Sequence, residues 1–135
     1  VIGVNDAVML SDPAANLSLH YGFELTSPPA DQLVREGDSL EFAGITLEVL
    51  DIPGHSPGHV VYVIRELPVL VLGGDVLFRG SIGRTDLPGG SFEQLAAGIR
   101  GKLYSRPDDT VVYPGHGPVT SVGHERRSNP FVPGR

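Results

Sequence analysis

The chain has 135 residues, of which 40% are hydrophobic and 19% are charged, values that suit one globular domain or a large part of one. Its formal net charge of -6 at pH 7 provides no cationic surface for nucleic acid or for an acidic membrane, so we expect neither as a partner. The absence of cysteine excludes disulfides, thiolate metal sites and cysteine nucleophiles, and it is compatible with a reducing compartment, which makes the cytoplasm the expected location.

Two short helices are predicted near the start of the chain. Asn5 or Asp6 is a candidate N-cap for the first, because a short polar side chain there can accept hydrogen bonds from free backbone N–H groups. Asp12 and Pro13 indicate a break, since the residue before a proline disfavours helix. A second helical stretch is predicted over residues 14–20.

Strands dominate the rest of the chain. Five are predicted from alternating or β-branched apolar runs, over residues 39–42, 45–51, 60–64, 69–72 and 110–113. Ala43 and Gly44 separate the first two strands, a spacing typical of a hairpin. Ser91 is a good N-cap for a helix over residues 92–102, whose apolar residues share one face and predict a helix packed on a sheet. A short final helix is predicted over residues 123–128.

Three turns rich in glycine and proline each place a residue that can bind metal directly after a predicted strand. The three segments are Pro53-Gly54-His55-Ser56-Pro57-Gly58-His59, Gly73-Gly74-Asp75 and Pro114-Gly115-His116-Gly117. A side chain in such a turn is held by the strand and stays accessible, which suits a catalytic metal with an open coordination position. Imidazole and carboxylate donors without cysteine favour zinc, iron or manganese. Any single histidine here could be a cap or a surface residue, but three such turns together favour a metal site.

At these turns the chain resembles the metallo-β-lactamase superfamily, and within it the glyoxalase II-like (hydroxyacylglutathione hydrolase-like) branch. The segments that carry the resemblance are residues 46–59, 72–78, 80–86 and 112–117, and the match runs from about residue 1 to residue 131. It implies an α/β fold, the αββα sandwich of the superfamily. Residues 1–135 would form a single partial domain, an N-terminally truncated part of that sandwich.

Matched residue by residue, the resemblance implies that His55 binds a first metal, that His116 binds a second, and that Asp75 bridges the two. The implied cofactors are two zinc ions, with iron or manganese as alternatives. The family's His-x-His-x-Asp-His segment, which supplies the other ligands, does not occur in the sequence, and we expect the chain to begin just downstream of it. Each metal then keeps two protein ligands where a catalytic zinc usually has three, so we expect the parent protein to be an enzyme and this fragment to be inactive.

A short loop separates Arg84 from Asp75 and the strand before it. Arg84 should therefore line the same opening of the sandwich as Asp75. In the glyoxalase II-like group a basic residue at this place is associated with holding the glutathione part of the substrate, and a guanidinium suits a carboxylate. A salt bridge within the loop, from Arg84 to Asp86, is an equally good interpretation.

The remaining histidines are expected outside the metal site. His59 matches a variable position of the resembling proteins that is not a ligand, and we expect it to support or pack beside the site. His20 is expected at a helix end, and His124 on the surface.

The resemblance implies a metallo-hydrolase that cleaves a small glutathione-linked thioester, with water activated by two metals and no catalytic side chain beyond the ligands. Two alternatives remain: a mononuclear-iron glutathione persulfide dioxygenase, whose loop resembles residues 83–86, and a non-catalytic remnant that acts as a binding partner. Because half a sandwich exposes apolar sheet surface and an edge strand, self-association is also expected.

Overall fold

A six-stranded mixed sheet organises the computed structural model, which describes residues 1–134. In chain order the strands are β1 (Ile2–Gly3), β2 (Leu33–Val34), β3 (Ser39–Phe42), β4 (Ile45–Asp51), β5 (Val60–Ile64), β6 (Leu70–Gly74), β7 (Leu77–Phe78), β8 (Ser81–Ile82), β9 (Val111–Pro114) and β10 (Thr120–Ser121). The helices are two 3-10 helices, Val4–Leu10 and Leu19–Tyr21, then α1 (Phe92–Gly98), which continues as a π-helix over Ile99–Leu103, and α2 (Val122–Ser128). No helix among these has the length and apolar character needed to cross a membrane.

Strand direction brings the three glycine- and proline-rich turns together. The order in the large sheet is β10-β9-β6-β5-β4-β3, with β6 and β9 parallel and all other neighbours antiparallel. Strands β4, β6 and β9 therefore run in the same direction, and their carboxyl ends lie at one edge of the sheet. His55, Asp75 and His116 follow these three ends.

The predicted hairpin is confirmed. Strands β3 and β4 pair in register, with Phe42 opposite Ile45, so that Ala43 and Gly44 form a two-residue loop. Both loop residues have positive φ, 52° for Ala43 and 80° for Gly44. Positive φ at both positions is typical of a type I′ turn, whose twist matches that of the paired strands. Ala43 therefore occupies a backbone region that residues with a Cβ disfavour.

One face of the large sheet is covered by α1 and the π-helix, as the helical periodicity predicts. Ser91 caps α1, since its hydroxyl oxygen accepts a hydrogen bond from the backbone N–H of Gln94 at 3.3 Å. The core between helix and sheet consists of fully or almost fully buried residues: Leu50, Ile52, Val61, Val63, Val71, Val76, Leu77, Leu95, Ala96, Ile99, Leu103, Tyr104, Val112, Val122 and Val132. The packed core on this face therefore holds strands β4, β6 and β9 in place.

The opposite face of the same sheet is apolar and largely open. Phe42, Leu72 and Tyr113 are 73%, 40% and 45% exposed, and Leu72 pairs with Tyr113 across β6 and β9. An open apolar face of this kind is what half of a two-sheet sandwich presents.

The predicted cap of the first helix is wrong. Gly3, and neither Asn5 nor Asp6, precedes the 3-10 helix Val4–Leu10, and no side chain caps it. Asp6 lies within the first turn and is buried, because its carboxylate is bound by a distant turn instead.

The predicted second helix over residues 14–20 is also wrong. Leu17 has a φ of 68°, and only Leu19–Tyr21 forms a short 3-10 turn. Asn16 accounts for the difference, since its side-chain oxygen accepts a hydrogen bond from the backbone N–H of Ser18 and its amide donates to two carbonyl groups outside the segment. Such local side-chain bonds compete with helical hydrogen bonds.

Candidate metal centre

The carboxylate of Asp75 lies between two imidazole rings. His55 Nε2 is 3.4 Å from one carboxylate oxygen, Oδ2, and His116 Nε2 is 3.4 Å from the other, Oδ1. The structure therefore brings the three turns together. Because each ring faces a different oxygen, the arrangement offers two separate pairs of donors that share one carboxylate.

His55 is oriented by a backbone group. Its Nδ1 atom lies 2.9 Å from the carbonyl oxygen of Arg84, so the Nδ1–H form of the ring donates to that oxygen. This leaves the lone pair of Nε2 directed toward Asp75. A histidine that donates from one nitrogen and keeps the other free is the usual state of a metal ligand.

His116 lies at the open side of the site, with 76% of its side chain exposed. Its ring packs edge-on against Phe78, with ring centroids 5.8 Å apart. The preceding Gly115 lets the turn approach the carboxylate, since a Cβ at this position would clash with Asp75 Oδ1. The backbone N–H of Gly115 also donates to the carbonyl oxygen of Gly74 at 2.8 Å, which ties the His116 turn to the end of β6.

His59 supports the site without facing its open side. Its Nε2 atom accepts a hydrogen bond from the backbone N–H of Asp75 at 3.0 Å, and its ring packs edge-on against His55. Burial lowers the pKa of His59, and the neighbouring His55 lowers it further, which favours the neutral ring in which Nε2 can accept. Its Nδ1 atom is buried and has no hydrogen-bond partner among the described residues.

The donors present fit part of a metal's ligand set. One nitrogen and one carboxylate oxygen at each position suit zinc, iron or manganese. Among residues 1–134, however, no group of three or more His, Cys, Asp or Glu side chains is arranged to hold a metal ion. His55 with Asp75, and Asp75 with His116, are thus two incomplete sites, and further ligands are needed from elsewhere for a catalytic zinc.

Arg84 and Asp86 form a two-contact ion pair at the edge of the site. Arg84 Nε lies 2.8 Å from Asp86 Oδ1, and Arg84 Nη2 lies 2.9 Å from Asp86 Oδ2. These hydrogen bonds lower the pKa of Asp86 to about 2. The salt bridge anticipated as one interpretation of this loop is present, and any substrate carboxylate would compete with Asp86 for the guanidinium.

A cavity of about 310 Å³ opens beside the two imidazoles. Phe78 and Ile82 give it an apolar wall, and Arg84 places positive charge at its rim. His20 and His124 do not line it. His20 packs against Tyr21, and the exposed His124 lies 3.7 Å from the carboxylate of Glu125.

Glu125 is a structural residue of the site that the sequence did not indicate. It is fully buried, and its carboxylate accepts hydrogen bonds from the hydroxyl of Thr120, from the backbone N–H of Gly80 and from the amide of Asn129. The hydrogen bond to Gly80 holds the turn that joins β7 to β8, and Phe78 is the last residue of β7 before this turn. Its position three residues after Val122 places it on the same face of α2 as that buried residue, but its polar side chain gives no sequence signal of burial.

The comparison with known families agrees with this geometry. Residues 1–116 match the profile of the metallo-beta-lactamase superfamily, and the chain belongs to that superfamily. The predicted superfamily and its α/β fold are confirmed.

Two curated relatives illustrate the match. The probable metallo-hydrolase YqgX of Bacillus subtilis is 45% identical over 131 residues, which cover 96% of this chain and 62% of the relative. The hydroxyacylglutathione hydrolase GloC of Haemophilus influenzae is 47% identical over 98 residues, 73% of this chain and 46% of the relative. The presence of GloC among the relatives agrees with the predicted branch.

Two solved structures share the fold over almost the whole chain. The BLEG-1 B3 metallo-beta-lactamase superposes with a TM-score of 0.88 at 41% identity, covering 97% of this chain and 63% of that one. TTHA1623 in a di-iron-bound form superposes with a TM-score of 0.78 at 40% identity, and the match covers 96% of this chain and 63% of that one. The chain thus spans about three fifths of the length of these structures and of YqgX.

Proposed function

We propose that residues 1–135 are part of a longer metal-dependent hydrolase whose substrate is a small thioester of the hydroxyacylglutathione type. The observation that carries this proposal is the Asp75 carboxylate between His55 and His116, with one oxygen toward each ring. The identity to the hydroxyacylglutathione hydrolase GloC supports the choice of substrate class.

Two divalent ions, zinc in the first instance and iron or manganese as alternatives, would be held at the two pairs of donors. His55 Nε2 with Asp75 Oδ2 would hold one, and His116 Nε2 with Asp75 Oδ1 the other, with the remaining ligands supplied from outside residues 1–134. When bound, such ions lower the pKa of water and polarise a substrate carbonyl.

The side chains of this chain would set the spacing and the charge of the centre. The single negative charge of Asp75 would be shared by two cations, which keeps both close together and stabilises each. The carbonyl oxygen of Arg84 would keep His55 in the tautomer that leaves Nε2 free.

The cavity beside the imidazoles suits the two ends of such a substrate. Its apolar wall, formed by Phe78 and Ile82, would contact the acyl group, and the guanidinium of Arg84 at the rim would hold a glutathione carboxylate. For this the substrate must displace Asp86 from Arg84, because both contacts of the guanidinium are now made to that residue.

Thiol release from a hydroxyacylglutathione thioester tests the proposal. We expect the longer protein, loaded with zinc, to hydrolyse it, and His55→Ala and Asp75→Asn to lower kcat/KM at least a hundredfold. His124→Ala is the matched control, because this exposed histidine lies outside the site, and it should retain activity. Residues 1–135 alone should be inactive. Absence of thioester hydrolysis by the metal-loaded protein, or turnover of a glutathione persulfide in its place, would contradict the assignment.

A further inference from the structure

Asp6 connects the N-terminal 3-10 helix to the turn that presents His55. Its side chain is buried, with 9% of the residue exposed. The Ser56 hydroxyl donates a hydrogen bond to Asp6 Oδ2 at 2.5 Å, and the backbone N–H of Gly58 donates to Asp6 Oδ1 at 2.6 Å. Both donors lie about fifty residues further along the chain.

The two donors bracket the functional part of the turn. Ser56 directly follows His55, which faces Asp75, and Gly58 directly precedes His59, which accepts the hydrogen bond from the Asp75 backbone. One carboxylate therefore holds the chain at both ends of the segment that joins these two histidines. Pro57, between the donors, has no N–H of its own to contribute.

Close backbone packing accompanies these hydrogen bonds. A Cβ at Gly58 would clash with the backbone nitrogen and the carboxyl carbon of Asp6. A Cβ at Gly3 would likewise clash with the carbonyl oxygen of Gly58. The helix and the turn can approach this closely only because both positions are glycine.

The choice of a carboxylate here is informative. Burying a charged group is unfavourable unless it is hydrogen-bonded, and an apolar residue could fill the same space without that cost. Two short hydrogen bonds, one to each oxygen of a carboxylate, are strong and directional. They restrain the turn more than apolar packing would.

We propose that Asp6 is a positioning residue of the candidate metal centre: its carboxylate clamps the 55–59 turn so that His55 faces Asp75 and His59 stays beneath the Asp75 backbone. This inference rests on the proposed metal-dependent function. It requires that metal binds at His55 and Asp75, and it does not depend on which substrate is hydrolysed.

The test measures zinc affinity, by competition with a chelator, and hydrogen exchange at the Gly58 amide, both in the longer protein. Asp6→Ala should weaken zinc binding tenfold or more, as loss of a group that orients a ligand does, and should accelerate Gly58 exchange. Asp6→Asn should have a smaller effect on both, since its amide oxygen can still accept from Gly58. Asp12→Ala is the matched control, because Asp12 follows the same 3-10 helix and, within residues 1–134, its carboxylate accepts only from the nearby backbone of Ala14 and Ala15.

Unchanged zinc affinity in Asp6→Ala, or an equal loss in Asp12→Ala, would overturn the positioning role. If Asp6→Ala does not fold, Ser56→Ala removes one of the two bonds and should still weaken zinc binding; unchanged affinity in that variant is again contrary to the proposal. A wild-type protein that binds zinc tightly but cleaves no thioester would contradict the proposed function alone, and the comparison of zinc affinities would still decide the role of Asp6.

Discussion

The Nε2 atom of His59 accepts a hydrogen bond from the backbone N–H of Asp75 at 3.0 Å. His59 lies on the same turn as His55, and Asp75 follows the end of β6, so this bond joins the first candidate ligand to the shared carboxylate through the backbone. Because burial lowers the pKa of His59, the acceptor is retained at neutral pH. The geometry between His55 and Asp75 is therefore fixed by groups that do not themselves face the metal positions.

Asp75→Asn should reduce metal occupancy at both positions. The amide is neutral and has one oxygen, so it removes the charge that two cations would share. Metal analysis of the longer protein should give about two ions per chain for the wild type and fewer than one for the variant. Asp109→Asn, a change of the same kind at an exposed position, should leave occupancy at the wild-type value. Loss of one ion only would contradict the shared role of Asp75.

Arg84→Ala should raise KM for a glutathione thioester about tenfold, because one charge-assisted contact to the substrate is lost, with kcat and metal content unchanged. Asp86→Asn should lower KM, because it weakens the competing partner of the guanidinium. Steady-state kinetics of both variants distinguish the two interpretations of this loop. An unchanged KM in Arg84→Ala would leave the pair with Asp86 as the role of Arg84.

The strand-end turns could be predicted from sequence because the signal lies in adjacent residues. A β-branched run followed by glycine or proline predicts both the strand and its end. His55, Asp75 and His116 were recognised in this way. That they meet at one edge follows from the parallel pairing of β6 with β9 and from the two antiparallel steps to β4, which are long-range features.

Asp6 and Glu125 could not be recognised, because each carboxylate holds a segment that is distant in sequence. Asp6 binds Ser56 and Gly58, and Glu125 binds the N–H of Gly80, 45 residues before it. A polar residue in the first turn of a short helix has the sequence character of a cap or a solvated residue, and only the fold shows that these carboxylates point inward.

Ala43→Asn should stabilise the chain by about 0.5–1 kcal/mol. Ala43 has a φ of 52°, a region that asparagine tolerates better than alanine and that favours Asn-Gly in two-residue hairpin loops. Ala97→Asn is the control of opposite sign, because asparagine at this exposed position of α1 disfavours helix. Urea unfolding of the three chains measures both effects, and destabilisation by Ala43→Asn would contradict the assigned turn.

Leu72→Ser should reduce self-association of residues 1–135. Leu72 lies on the open face of the sheet, and its replacement removes apolar surface that a second copy could cover at about 25 cal/mol per Å². Leu67→Ser is the matched control, since Leu67 is 99% exposed and lies between β5 and β6, outside the strands that form that face. Sedimentation velocity over a range of concentrations should show a larger monomer fraction for Leu72→Ser only; a wild-type chain that is monomeric throughout would contradict the prediction.

Anomalous diffraction at the zinc edge, from crystals of the longer protein loaded with zinc, tests the shared-carboxylate centre most directly. We predict two peaks about 3.5–4 Å apart. One should lie about 2.0–2.2 Å from His55 Nε2 and Asp75 Oδ2, and the other at the same distance from His116 Nε2 and Asp75 Oδ1. Zinc bound at other side chains, such as the exposed His20 or His124, with no peak beside Asp75, would contradict the metal centre and the function proposed from it.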